Sequence, residues 1–395
     1  GTAFPWIAGG LLFAFSAYYI WRQMSGHGIC HHHTPGSQHQ EDEHCGDEHA
    51  ESHWHEELKS SPLTRALGRP VRDQVVTGRL TQPTTLQALE LVNGQYLAEW
   101  LREAARFALE HLEIPAIPAL PRRSPAESSV VQAMVGMQGI TIGQYGSISV
   151  DPGAIDPFAA VTTDLQHDAF NGFRTFLDEA AGHEGWVKWQ FVGPITFGLA
   201  LVRAGVPVSE AFESSVRCVR AHLEHLIAAV DAALPGCRQL VFVEESDLSE
   251  LMQPGYPLAP DTAIDLVSGA LAAIESSAIA GLHVCGLADI PSQVATGPAV
   301  LSLPVRPEVL DSAGHLIRYM EGGGRIAWGA VPTSGPIPHS AERPWRQLSE
   351  LWCEFVKVGA DPLLLRQRSL ITPECGLASH TPAVAERVFR ITTEV

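Results

Sequence analysis

From about residue 102 to the C-terminus, short apolar runs alternate with longer segments whose apolar positions recur at helical spacing. The runs at 117–120, 187–192, 239–244, 281–284, 299–303, 325–330 and 369–372 are mostly unbroken by polar residues, the pattern of strands covered on both faces. Between them, 208–233, 261–276, 307–320 and 345–358 carry one apolar stripe each and predict amphipathic helices. Strand and helix in alternation imply a parallel sheet with crossover helices. The predicted class is therefore α/β, a TIM-type (β/α)8-like barrel in which seven strands are found and an eighth is still needed. In such folds the working residues sit at the C-terminal ends of the strands.

Upstream the pattern changes twice. Residues 3–21 are almost uninterruptedly apolar, with Trp6, Tyr18, Tyr19 and Trp21 near the ends and Arg22 closing the run. That length and aromatic placement read as a transmembrane helix contacting a membrane, with an uncleaved signal sequence or a leader as the competing readings. Residues 26–61 hold nine of the 18 histidines, Cys30, Cys45 and eight acidic residues. Ligands for a divalent metal are plentiful there, but the spacing is irregular, so a flexible polar tether and a metal-loading tail both remain open. Residues 62–101 then show helical periodicity in Leu86, Leu89, Leu91, Leu97 and Leu101.

Composition narrows the function. The chain has 395 residues, 45% hydrophobic and 18% charged, enough apolar material for a large core. Its 26 basic residues against 44 acidic ones give a formal charge of −18, which excludes nucleic-acid binding through a phosphate-neutralising patch. Seven scattered cysteines do not form a disulfide framework, and a reducing, cytoplasmic setting is expected for the barrel, tethered to a membrane if the N-terminal helix is an anchor. Cys218, Cys237 and Cys353 read as inert small hydrophobes.

The chemistry gathers at three places. "GLHVCG" puts His283 and Cys285 two residues apart at a strand end, so both side chains leave the same face. That pair alone is more often a packed histidine beside an incidental thiol. "LITPECGL" adds Cys375 after the last predicted strand, with Gly376 placed for a sharp turn. Two thiolates and one imidazole at a common rim make a zinc ligand set. Glu244 and Glu245 end the strand "LVFVEE", where two adjacent carboxylates can be one ligand and one solvated charge. Gln190, where strand meets helix in "WQFVGPIT", offers an amide to a substrate, while Trp189 reads as core. "YGSISVDPGAIDP" at 145–157 reads as a rim hairpin or a plain surface loop. "EGGGRIAW" at 321–328 lacks the lysine and serine of a phosphate-binding loop.

"HVCG" and, some ninety residues later, "TPECGL", together with "VKWQFVGPITFGLAL", "LVFVEESDL" and "GGGRIAWGAVPTSGPIP", resemble the C-terminal zinc barrel of the cobalamin-independent methionine synthase family over about 290 residues. The resemblance implies a methyltransferase of methionine biosynthesis whose zinc, held by His283, Cys285 and Cys375, activates homocysteine. The methyl donor it implies is a folate or, for a lone C-terminal barrel, a methyl-corrinoid protein. It further implies that Glu244 holds the substrate's amino group, with Glu245 beside it. Three positions depart from the family pattern. Pro304 stands in the stretch that should supply a glutamate ligand, with Glu308 the nearest acid downstream; "GAVPTSG" has no histidine before His339; and the first-strand motif is absent. Residues 62–100 separately resemble the C-terminal tail of an uncharacterised planctomycete cytochrome-associated family, which implies no activity. A non-catalytic barrel fusion and a membrane-tethered metal-binding protein are the alternatives to an enzyme.

Overall fold

Proline decides where the sheet begins. In "IPAIPALP" the residues Pro115, Pro118 and Pro121 have no N–H to give to a ladder, so the strand expected at 117–120 does not form. One parallel bridge survives, with Ile117 N–H donating to Lys188 O at 2.8 Å and Lys188 N–H to Pro115 O at 2.8 Å. The other six predicted strands do form, and they make one parallel sheet in simple sequential order.

The computed structural model describes residues 85–143, 147–378 and 380–395. The apolar stretch 3–21, the His-rich stretch 26–61 and residues 62–84 lie outside them. Helix α1 (Thr85–His111) leads into a short helix α2 (Ser129–Met134) and an antiparallel hairpin of β1 (Ile140–Ile142) and β2 (Ile148–Val150). Of the two readings left open for 145–157, its first residues form the second strand of this hairpin, whose partner strand lies upstream of the stretch. Then follow α3 (Asn171–Glu179), β3 (Gly185–Val192), α4 (Pro194–Arg203), α5 (Val208–Ala233), β4 (Cys237–Glu244) and α6 (Pro260–Glu275). The chain continues through β5 (Ile279–His283), α7 (Ile290–Ala295), β6 (Val300–Pro304), α8 (Ala313–Glu321) and β7 (Arg325–Val331). It ends with α9 (Glu342–Lys357), α10 (Pro362–Gln367), β8 (Ser369–Pro373) and α11 (Pro382–Glu394). Among the described residues no helix is long and apolar enough to cross a membrane. The division expected after residue 101 falls inside α1, whose Leu101 is buried and whose Ala105 and Ala108 join the main core.

Strand periodicity sorts the sheet into two faces. Val187, Trp189, Phe191, Val241, Val243, Leu282, Leu301, Leu303 and Trp328 point toward the helices and belong to the main apolar cluster. Leu240, Phe242, Val300 and Ala327, with Trp186, Ile279 and Leu370 against them, form a separate small cluster on the opposite face. The sheet is curled into a half-barrel around that second face. Helix α5 shows how the outer layer is held: Ala211, Ser215, Cys218, Val219, His222, Leu223, Leu226, Ile227 and Val230 fall three or four residues apart and are all buried. His222 is a core residue with both ring nitrogens engaged, Nδ1 with Thr163 Oγ1 at 2.8 Å and Nε2 with Ala133 O at 3.2 Å. Burial lowers its pKa to about 4, so it is neutral. Cys218 is buried and Cys237 half-buried, whereas Cys353 is exposed on α9 and is not the buried thiol expected.

A buried carboxyl ties the proline-rich segment after α1 to α3. Glu127 accepts Leu120 N–H at 2.8 Å and Gly172 N–H at 3.1 Å. Burial, against the opposing effect of those two bonds, raises its pKa from 4.5 to about 7. The folded state therefore keeps a proton that the unfolded chain releases near pH 4.5, and this contribution to stability is full below about pH 4.5 and lost as pH rises through about 7. The shift corresponds to at most about 3 kcal/mol. Urea unfolding at pH 5 and pH 8 is expected to show wild type losing more stability across the interval than Glu127→Gln; equal losses in the two proteins would refute it.

Candidate metal centre

Curling brings distant strands to one point. In sheet order β5 and β8 are separated by β6 and β7, which in a flat sheet would hold them about 14 Å apart at ~4.8 Å per strand. Cys285, just after β5, and Cys375, just after β8, nevertheless place their Sγ atoms 3.4 Å apart. They reach each other across the concave face at the C-terminal ends of the strands.

His283 completes the group, its Nε2 lying 3.6 Å from Cys285 Sγ and 3.6 Å from Cys375 Sγ. A tetrahedral ion bound by thiolates at about 2.3 Å and imidazole at about 2.05 Å requires S···S near 3.8 Å and S···N near 3.6 Å. The three observed separations are close to the edges of that tetrahedron, and among the described residues this is the group of His, Cys and carboxylate side chains arranged to hold a metal. Soft sulfur with imidazole selects a borderline or soft divalent ion.

Local structure aims each ligand. His283 ends β5 on the concave face, and its Nδ1 meets Ser302 Oγ of β6 at 2.9 Å, which leaves Nε2 directed at the two sulfurs. After Cys285, Gly286 adopts φ 86°, the left-handed turn that carries the chain away. Gly376 does not: the chain bends at Glu374 and Cys375 without a left-handed φ at the glycine that follows. The glycine that matters for Cys375 is Gly329 in β7, where a Cβ would lie 2.8 Å from Glu374 Cα. Without a side chain, β7 lets the Glu374–Cys375 segment cross over it, anchored by Glu374 N–H donating to Val331 O at 2.8 Å. Arg306 takes up Glu374 in an ion pair at 2.6 Å.

Electrostatics make the sulfurs unequal. Hydrogen bonds from Cys375 and from His283 pull the Cys285 pKa down to about 4, and Cys375, which supplies one of them, is pushed far up. One thiolate and one thiol share the site, and binding an ion there would expel the remaining proton. The fourth direction has no protein ligand among the described residues. Pro304 shares the concave face with Ser302 at the end of β6, Glu308 is exposed in the following turn, and Glu374 is engaged by Arg306.

The other candidates separate cleanly. Glu244 pairs in register with His283 and faces the same concavity. Burial raises its pKa, against the pull of His283 and Lys188. Glu245 is corrected: one residue on, it points to the opposite face, is fully buried, and accepts Ile195 N–H at 2.8 Å and Thr196 N–H at 2.7 Å. It caps α4 and has no access to a substrate. Gln190 faces the concavity and accepts a hydrogen bond from Lys188 Nζ. Trp189 is core, with Nε1 donating to Gln239 Oε1 at 2.9 Å. Sequence reading missed Ser302 and Lys188. The lysine had a signal, since a charge inside "VKWQFV" has to face something other than packed helices. No family model and no curated protein matches the chain.

Proposed function

We propose that the chain is a zinc-dependent methyltransferase, built on a TIM-type barrel like that of the cobalamin-independent methionine synthase family, which activates a thiol for methylation. Homocysteine is the default acceptor, and a folate or a methyl-corrinoid protein the donor. The observation that carries this reading is the triad itself: two sulfurs and one imidazole at tetrahedral separations with the fourth direction left open. Structural zinc sites are closed by four protein ligands, while sites that work on a substrate keep one position free.

His283, Cys285 and Cys375 would hold the ion, and zinc bound there supplies a positive charge that favours the thiolate form of an incoming thiol. The chain's own residues do the rest. Ser302 fixes the imidazole through its Nδ1, and Glu244, one strand over at the level of His283, receives the substrate's amino group. The absence of a glutamate at the Pro304 position leaves the ligand set with one carboxylate fewer than the resemblance implies. That keeps the net charge of the ligand set at −2, more favourable to an added thiolate than −3.

Zinc-loaded full-length protein is expected to contain about one zinc per chain. On adding homocysteine, X-ray absorption is expected to show the mean number of sulfur neighbours rising from two to three. Binding no zinc, or a sulfur number unmoved by homocysteine, would rule out thiol activation at this site.

A further inference from the structure

Inside the concavity, below the triad, sits a lysine that nothing in the thiol-activating reading uses. Lys188 occupies the inward-facing position of β3 opposite Leu240, in a strand whose alternate residues Val187, Trp189 and Phe191 are all buried on the helix side. Its Nζ hydrogen-bonds Gln190 Oε1 and lies 5.5 Å from the centroid of the Phe242 ring. No carboxylate of the described residues comes within ion-pair distance of it. Burial pushes the half-buried Lys188 amine down from its usual pKa, and with only a neutral amide and a ring face beside it the charged form is costly unless something anionic completes it.

Glu244 is the mirror case. It lies four residues further along the register, opposite Val192 and beside His283. The two groups feel each other, yet the Glu244 carboxyl, unlike its backbone oxygen, makes neither a hydrogen bond nor an ion pair with any described residue. One lysine and one carboxyl without charged partners thus line a single concave face with the metal triad. The lysine's long side chain rises to the level of Gln190 and Phe242, which leaves it about one two-residue step, ~7 Å, below the level of Glu244 and His283. A small amino acid carrying a thiol on a short side chain spans that interval.

We infer that Lys188 is a specificity-determining residue that binds the carboxylate of the thiol substrate, so that the site takes zwitterionic amino-acid thiols, with the amino group at Glu244 and the sulfur at the triad. This inference rests on the thiol-activating reading and extends it to the substrate's other end. Gln190 orients the ammonium through its Oε1 and keeps an amide N–H₂ for the same carboxylate.

The test uses the full chain with cobalt(II) in place of zinc, because the sulfur-to-cobalt absorption band reports thiol binding without turnover. Wild type and Lys188→Met are titrated with 2-mercaptoethanol, 3-mercaptopropionate, cysteamine and homocysteine. A charge-assisted hydrogen bond of this kind is expected to make 3-mercaptopropionate bind about 10- to 100-fold tighter than 2-mercaptoethanol in wild type. In Lys188→Met that preference disappears, cysteamine binding is unchanged or improved, and the cobalt spectrum without added thiol stays the same. A preference that survives in Lys188→Met overturns the inference and leaves thiol activation standing. A wild-type cobalt band unmoved by any thiol removes both. If Lys188→Met does not fold, the wild-type titration decides alone, since equal affinity for anionic and neutral thiols overturns the inference.

Discussion

Replacing Cys375 by serine is expected to drop the zinc content of the purified full-length chain from about one per molecule to near zero after gel filtration. Serine's hydroxyl stays protonated at neutral pH, so the site loses an anionic ligand and keeps only His283 and Cys285. Binding free energies of about 10–16 kcal/mol shared among four ligands put a single one at roughly 3 kcal/mol, an affinity loss on the order of 100-fold or more. Ser302→Ala, which removes only the partner of His283 Nδ1, is expected to weaken binding by about 10- to 100-fold. Cys353→Ser is the control, an exposed thiol on α9 away from the triad. Metal analysis together with competition against a chromophoric chelator measures all three. Zinc retained by Cys375→Ser but lost when residues 26–57 are deleted would move the metal to the His-rich stretch and leave the triad without a role.

The two thiol-bearing motifs were legible because their chemistry is local: H-x-C at a strand end places two ligands on one face whatever the rest of the fold does, and the parallel alternation placed Cys375 at the same end. Apolar runs gave six strands within a residue or two, since strands buried on both faces leave an unbroken signature in the chain. Non-local causes were not legible. The run at 117–120 is apolar enough for a strand, and its prolines count only once the neighbour is known to need an N–H donor at each rung. Gly376 looked like the turn that delivers Cys375, whereas the delivery depends on Gly329, 46 positions earlier, clearing a path over β7. Ser302 could be assigned only after β6 was known to pair with β5 so that it meets His283.

Glu245→Ala is expected to destabilise the fold by about 3–5 kcal/mol, because it strands two buried N–H donors at about 1–3 kcal/mol each and opens a cavity. The adjacent carboxylates Glu244 and Glu245 looked interchangeable in sequence, and one residue of strand periodicity separates their fates. Glu244 turns into the concavity. Glu245 turns under the β3–α4 connection, where Gly193 leaves room that a Cβ would fill at 2.2 Å from its Oε1, and Pro194 opens the helix. The carboxyl then satisfies Ile195 N–H and Thr196 N–H, which no intrahelical partner reaches. Differential scanning calorimetry is expected to show the melting temperature falling by roughly 10 °C. Gly193→Ala, which leaves Glu245 in the sequence but displaces it, is expected to produce a fall of similar size. Glu245→Gln keeps the volume and one acceptor and is expected to fall less. Cobalt binding in the surviving folded fraction should be unchanged in each, since this carboxyl lies on the far side of the sheet from the triad. A Glu245→Ala protein that melts like wild type but no longer perturbs the cobalt band with homocysteine would return Glu245 to the substrate site.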